Sequence, residues 1–295
     1  MNINLSTLVT GREVSLEDML DAREHRQDIQ RMLLSQYHLP VISFTLNIVG
    51  PVKVFPLALR TFHEGIRLIE TQCHAWKIPI LATHTVTSHT GHEYFWVVDG
   101  DVRFVKEILC LLEDSVAFGR LFDIDVIQTD GMKISRTDLG FSGRKCLICN
   151  QDAFVCSRAR THSVKELLEQ ECRIMSSYFA EQHAKRLSSL SMQALLYEVS
   201  VTPKPGLVDR NNTGAHKDMD IFTFLNSTSV LFPYFERCVR QAMGGTLGPE
   251  ELLAALRWEG KLAEQTMLAA TGGVNTHKGA IFSMGLCCAA LGQLP

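Results

Sequence analysis

The chain has 295 residues, 46% of them hydrophobic and 21% charged, with a formal net charge of −3. At roughly 150 residues per domain that suffices for two cores, and it excludes a disordered tail or a disulfide-stapled mini-domain. The near-neutral charge is spread evenly over both halves, which excludes the broad cationic field that non-specific binding to nucleic acid or to an anionic membrane requires.

No apolar run reaches the ~18 residues that a bilayer span needs; the best candidate, Ala280 to Leu291, is broken by Ser283 and Gly285. The opening residues show no basic segment followed by an apolar one, so the reading is a cytoplasmic protein whose nine cysteines stay reduced. From Ser15, Leu16, Met19 and Leu20 and then Ile29, Met32 and Leu33 recur at helical spacing, with Ser15 and Asp18 set as a capping box. The β-branched run VISFTLNIV follows and ends at Gly50-Pro51, and LALRTFHEGIRLIETQCHAW returns to the helical period. ILATHTV and EYFWVV flank the polar SHTGH as a hairpin, VRFVKEILCLLED reads as a helix, and FDIDVIQTDGMKIS carries an Asp130-Gly131 hairpin signal between two strands.

Strands and helices therefore mix up to about residue 145 without regular βαβ alternation or a Gly-rich phosphate loop, which defines an α+β part. Beyond Ser163 strand signals vanish, and VKELLEQECRIMSSYF, MQALLYEVS, FTFLNSTSVLFPYF, PEELLAALRWEGKLAEQTMLAA and GAIFSMGLCCAALG predict an all-α part. The serine-rich stretch from Ser176 to Ser191 is the expected junction, dividing the chain into domains 1–183 and 187–295.

Asp123 and Asp125 stand two apart on a predicted strand, so their side chains leave one face and can grip one hard cation such as Mg²⁺. Such a pair suits in-line attack of a hydroxyl on a triphosphate donor with loss of pyrophosphate, and Arg120, Lys133 and Arg136 are near enough in sequence to neutralise the departing phosphates. A bare D-x-D is more often the solvated side of a half-buried strand. Cys146, Cys149, Cys156 and His162 form a C-x2-C-x6-C-x5-H pattern compact enough for four tetrahedral zinc ligands. Cysteines are also common buried hydrophobes, so both readings stand, and Arg158 and Arg160 alongside them are phosphate-contact candidates. His84, His89 and His92, around the expected hairpin tip, are read as solvated.

Four separated stretches, LEDMLDAREHRQ, the Gly50-Pro51-x-Lys53 turn, GRLFDIDV, and RKCLIC with its following Cys and His, resemble in order the citrate lyase holo-acyl-carrier-protein synthase family, also called apo-citrate lyase phosphoribosyl-dephospho-CoA transferase. The likeness covers about residues 8 to 180. It implies transfer of a phosphoribosyl-dephospho-CoA group from triphosphoribosyl-dephospho-CoA to a serine of the citrate lyase acyl carrier subunit, with release of pyrophosphate. The Gly-Ser helix start that often precedes a nucleotidyltransferase D-x-D is absent.

In the second part, EVSVTPKPGLVDRNNTGAHKDMD gathers Glu198, Lys204, Asp209, His216, Lys217 and Asp218 in a loop punctuated by proline and glycine. ATGGVNTHKGAIF brings Asn275, His277 and Lys278 to the start of an apolar helix, where free N–H groups and a cation favour phosphate. The plain alternative for each is an inter-helix loop. With Glu264 between them, the two segments resemble triphosphoribosyl-dephospho-CoA synthase, which joins dephospho-CoA to the ribose of ATP and expels adenine. That resemblance makes Asp209, His216, Asp218 and His277 catalytic candidates and Lys204, Asn275 and Lys278 phosphate ligands. Members of that family continue for several helices beyond GVNTHKGAIF, so the second domain is expected to be a shortened, inactive synthase whose last helix exposes an apolar face prone to self-association. The rival from another class is a non-catalytic zinc adaptor for protein contacts; a polymerase acting on nucleic acid lacks any basic tract.

Overall fold

The computed structural model describes residues 4–245 and 247–294. Two compact units emerge, residues 1–178 and 179–295. After a short helix α1 (Leu5–Leu8), α2 (Leu16–Tyr37) begins on the expected capping box: Asp18 N–H donates to Ser15 Oγ at 3.0 Å and Ser15 N–H to Asp18 Oδ2 at 2.8 Å. Then follow β1 (Val41–Leu46), α3 (Pro56–Ala75), β2 (Ile80–Val86), β3 (Glu93–Val98), α4 (Val102–Ser115) and β4 (Phe122–Ile127).

The four strands form one antiparallel sheet in the order β2-β3-β1-β4, and β2 and β3 are the hairpin predicted from sequence. Period-two alternation gives the sheet two unlike faces. One presents Ile42, Phe44, Trp96, Val98, Phe122, Ile124 and Val126 to the main core, which α3 and α4 close. Gly65 of α3 has a packing reason: a Cβ there would sit 2.5 Å from the Phe44 ring. On the other face Val41, Phe95, Val97 and Ile127 pack with Ile29, Leu33 and Leu34 of α2. Farther along that face the register turns polar, pairing Ser43 with Asp125 and Thr45 with both Asp123 and Glu93.

The Asp130-Gly131 turn is present, with Gly131 at φ +86 and Gln128 N–H donating to Met132 O at 2.8 Å. Its second arm, expected as a strand, is only a single bridge from Ile127 to Lys133, because Ser135 and Asp138 then divert the backbone into a turn of their own. A short helix α5 (Ala153–Ala159) leads into α6 (Val164–Ser200). Helix α6 runs unbroken through the serine-rich stretch read as a junction, so two expected helices are one. The segment holds no Gly or Pro, and the hydroxyls of Ser188 and Ser191 donate to the carbonyls of Ala184 and Leu187 four residues back, at 2.8 and 2.9 Å, which satisfies them inside the helix.

The second unit takes the C-terminal part of α6 together with α7 (Ile221–Ser229), α8 (Phe232–Ala242), α9 (Pro249–Ala270) and α10 (Lys278–Gly292). FTFLNSTSVLFPYF, read as one helix, is two, since Pro233 has no N–H to continue a ladder and instead opens α8. The α8–α10 contact is close: Tyr234 Oη donates to Ile281 O at 2.8 Å, and a Cβ on Gly285 would overlap that hydroxyl. The N-terminal part is thus α+β and the C-terminal part all-α, as the periodicities predict. Helix α10 leaves Phe282, Leu291 and, just beyond it, Leu294 exposed.

Candidate functional site

Asp123 and Asp125 are half-buried residues of β4, and their alternation with buried Phe122, Ile124 and Val126 sends both carboxylates to the face covered by α2. Two basic residues meet them. Lys133, carried back by the Gly131 turn, places Nζ 2.5 Å from Asp125 Oδ2. Arg26 of α2 bonds Glu93 at 2.7 Å; burial works against its charge, but Glu93, Asp123 and Asp125 together raise its pKa above the usual guanidinium value. The oxygen-only donor set of the aspartate pair is the kind that suits a hard divalent cation.

The other cations read beside this pair are engaged elsewhere. Arg136 holds Asp114 at 2.8 Å and Glu113 at 3.2 Å, and Arg144 holds Glu113 at 2.9 Å. Glu113 is a buried anchor whose pKa is raised by desolvation and drawn back by Arg144, Lys106 and Arg136. Arg120 donates from Nε and Nη2 to the Lys145 carbonyl, at 2.8 and 2.5 Å, beside Cys146. The Arg26–Glu93 pair escaped the sequence reading; its one signal was a carboxylate in phase with Phe95 and Val97 of a strand.

Cys146, Cys149, Cys156 and His162 converge, with their ligand atoms all within 4.8 Å of one another. A bridge from Lys145 to Asp152 closes the loop, and Asp152 caps α5 by accepting from Phe154 and Val155 N–H at 2.9 and 3.1 Å, which aims Cys156 back at the C-x2-C turn. The Sγ–Sγ distances are 3.5 Å for Cys146–Cys156 and 3.9 Å for Cys149–Cys156, against about 3.8 Å for two thiolates on one tetrahedral zinc. His162 Nε2 is buried with no hydrogen-bond partner. Burial opposes ionisation of Cys146, yet the N–H groups of Cys149 and Ile148 and the neighbouring thiols bring its pKa down to about 6. Cys3His with a ready thiolate and an orphaned imidazole nitrogen is a donor set that fits zinc.

In the second unit Asp209 is buried and accepts from Thr202 Oγ1 at 2.8 Å and from the N–H groups of Lys204, Asn211 and Asn212 at 3.1, 2.8 and 2.9 Å. Those donors hold its carboxyl far below the usual range and make it the organiser of the loop. Lys204 pairs with Glu198 at 2.7 Å, and the half-buried His216 lies 4.0 Å from the exposed Asp218. His277 is buried, with Nδ1 2.7 Å from Ser227 Oγ and Nε2 buried without a partner. Desolvation lowers its pKa to about 4 despite the opposing charge of Glu198, so the imidazole is neutral at pH 7. Asn275 Oδ1 accepts from Lys278 N–H at 3.3 Å, and Lys278 Nζ reaches Glu264 at 2.7 Å over a 240 Å³ cavity among α8, α9 and α10. Glu198 thus pairs with Lys204 and its charge reaches His277, whereas His216 and Asp218 form a separate pair. Ser227 had no signal in sequence, since a serine in an apolar helix reads as filler.

The family model for apo-citrate lyase phosphoribosyl-dephospho-CoA transferase matches residues 14–178, and that for ATP:dephospho-CoA triphosphoribosyl transferase matches residues 184–294. The chain is 37% identical over 285 residues to protein CitXG of Haemophilus influenzae, covering 96% of this chain and 61% of that protein. It is 37% identical over 291 residues to protein CitXG of Leuconostoc mesenteroides subsp. cremoris, covering 95% and 62%. A third relative, the 2-(5''-triphosphoribosyl)-3'-dephosphocoenzyme-A synthase of Haemophilus ducreyi, is 44% identical over 148 residues, 50% of this chain and 45% of that protein. The chain spans about three fifths of the length of the CitXG relatives. The α+β unit and the helical unit thus match two transferase family models in succession, as a fused protein does. The chain belongs to the apo-citrate lyase phosphoribosyl-dephospho-CoA transferase family. No helix among the described residues is long and apolar enough to cross a membrane.

Proposed function

We propose that domain 1–183 transfers the phosphoribosyl-dephospho-CoA group from triphosphoribosyl-dephospho-CoA to a serine of the citrate lyase acyl carrier subunit, in the cytoplasm. The observation that carries this reading is the shared face of Asp123 and Asp125. The serine hydroxyl loses its proton to solvent as its oxygen bonds to the phosphorus nearest the ribose, the bond from that phosphorus to the bridging oxygen breaks, and pyrophosphate leaves in line. Asp123 and Asp125 would hold Mg²⁺, which when bound supplies charge neutralisation at the phosphate oxygens. Lys133 is released from Asp125 as the donor arrives and turns to the departing diphosphate. Incubation with apo carrier subunit, donor and Mg²⁺, followed by mass spectrometry of the carrier, tests the reading; an unchanged carrier mass sinks it.

In place of the inactive second domain expected from sequence, we infer that domain 187–295 acts as the counterpart of the synthase that makes the donor from ATP and dephospho-CoA. The specific support is the neutral, buried His277 with an unpartnered Nε2, within reach of the charge of Glu198. In this reading His277 takes the proton of the attacking ribose hydroxyl, a new C–O bond forms at the anomeric carbon of ATP, and the bond to adenine breaks. Lys204 and Lys278 bind the triphosphate. Release of adenine from ATP in the presence of dephospho-CoA tests it.

A further inference from the structure

Beside the Cys3His cluster lies a cleft of about 680 Å³, within the range of small-ligand sites. Its polar side is formed by Asn47 after β1, Arg120 before β4, and Arg160 between α5 and α6; its apolar side includes Val49, Leu147 and Leu167. None of the residues lining it carries a carboxylate. Arg120 commits Nε and Nη2 to one carbonyl, that of Lys145, which fixes the guanidinium and leaves Nη1 for a ligand. Burial and the like charges of Arg144 and Arg136 lower its pKa, with Glu113 and Cys146 pulling the other way. Arg160 is held at φ +48, a left-handed backbone conformation uncommon outside glycine, between the ligands Cys156 and His162.

We propose that this cleft binds a nucleoside diphosphate group, the diphosphate lying between Arg120 and Arg160 and the base against the Val49–Leu147–Leu167 wall. The inference rests on the transferase reading, from which the ligand follows: the donor carries an adenosine diphosphate moiety apart from the triphosphate that reacts. It also gives the Cys3His cluster a purpose, since a metal held by Cys156 and His162 would fix the backbone of Arg160 between them. Arg120 is then a binding residue for the retained part of the donor, and the departing diphosphate is left to Lys133.

The test is isothermal titration of ADP and of dephospho-CoA into the full chain with its metal content measured. R160Q, and R160G, which removes the guanidinium while tolerating the left-handed backbone, are each expected to weaken ADP binding at the first unit at least tenfold. R173Q, which alters an exposed α6 side chain that lies outside the cleft and bonds Gln170 at 2.9 Å, should stay within twofold of wild type. Unchanged affinity in both Arg160 variants overturns the proposal, as does ADP binding that is lost in H277A alone, because the nucleotide then sits in the second unit. A carrier subunit that gains no mass with the wild type, while ADP binding still depends on Arg160, rejects the transfer reading and leaves the nucleotide site standing.

Discussion

Lys133 Nζ lies 2.5 Å from Asp125 Oδ2, so the acidic pair on β4 meets its counter-ion through a turn of only a few residues. A lysine on the same carboxylate competes with a divalent cation for it. Asp125→Asn is expected to slow carrier modification by about 10²–10³-fold, the usual cost of losing one electrostatic contact to a transition state, with the melting temperature little changed because the residue is half-exposed. Lys133→Ala is expected to tighten Mg²⁺ binding while lowering the maximal rate. Carrier mass gain against time, read at several Mg²⁺ concentrations, checks both.

The Cys3His cluster predicts one tightly held zinc per chain. Cys149→Ser should lose it and destabilise the first unit by several kcal/mol, since binding energy at such a site is folding energy. Elemental analysis of purified protein and thermal melts with and without a chelator supply the measurement, and wild type that melts identically in both would contradict a structural ion.

Glu171 is buried in α6, accepts the Val49 N–H at 3.2 Å and faces Lys53; desolvation pushes its pKa up to about 7, with the N–H and the lysine pulling it down. The folded state therefore holds this proton to higher pH than the unfolded chain, whose glutamate ionises near 4.3. Its stabilising contribution is complete below that value, declines as pH rises through the window to about 7, and is gone above it. Glu171→Gln should flatten this slope, gaining about 1–3 kcal/mol relative to wild type between pH 5 and 8. Urea melts of both proteins across that range decide it.

Gly65 lets α3 settle on the sheet against Phe44, where a Cβ would stand 2.5 Å from the ring. Gly65→Ala is expected to cost about 1–3 kcal/mol despite alanine's better helix propensity, because overpacking outweighs the entropy gain. An unchanged or raised melting temperature would show that the ring moves aside freely.

Local pattern alone determined the four sheet strands, the capped α2 and the change from mixed to all-helical structure, because alternation and helical period follow from backbone geometry one segment at a time. Asp123 and Asp125 could be set on one face from their spacing, and the three cysteines and histidine could be grouped from theirs. The tertiary structure decided which charges meet. Arg136 goes to Glu113 and Asp114 rather than to the aspartates, Glu93 brings Arg26 to their face from 67 residues away, and Ser227 finds His277. It also carried α6 through the stretch read as the domain junction as one continuous helix, since serines bonded to carbonyls one turn back are silent in sequence. Long-range pairing of buried polar groups depends on how the elements pack, and packing leaves no periodic trace along the chain.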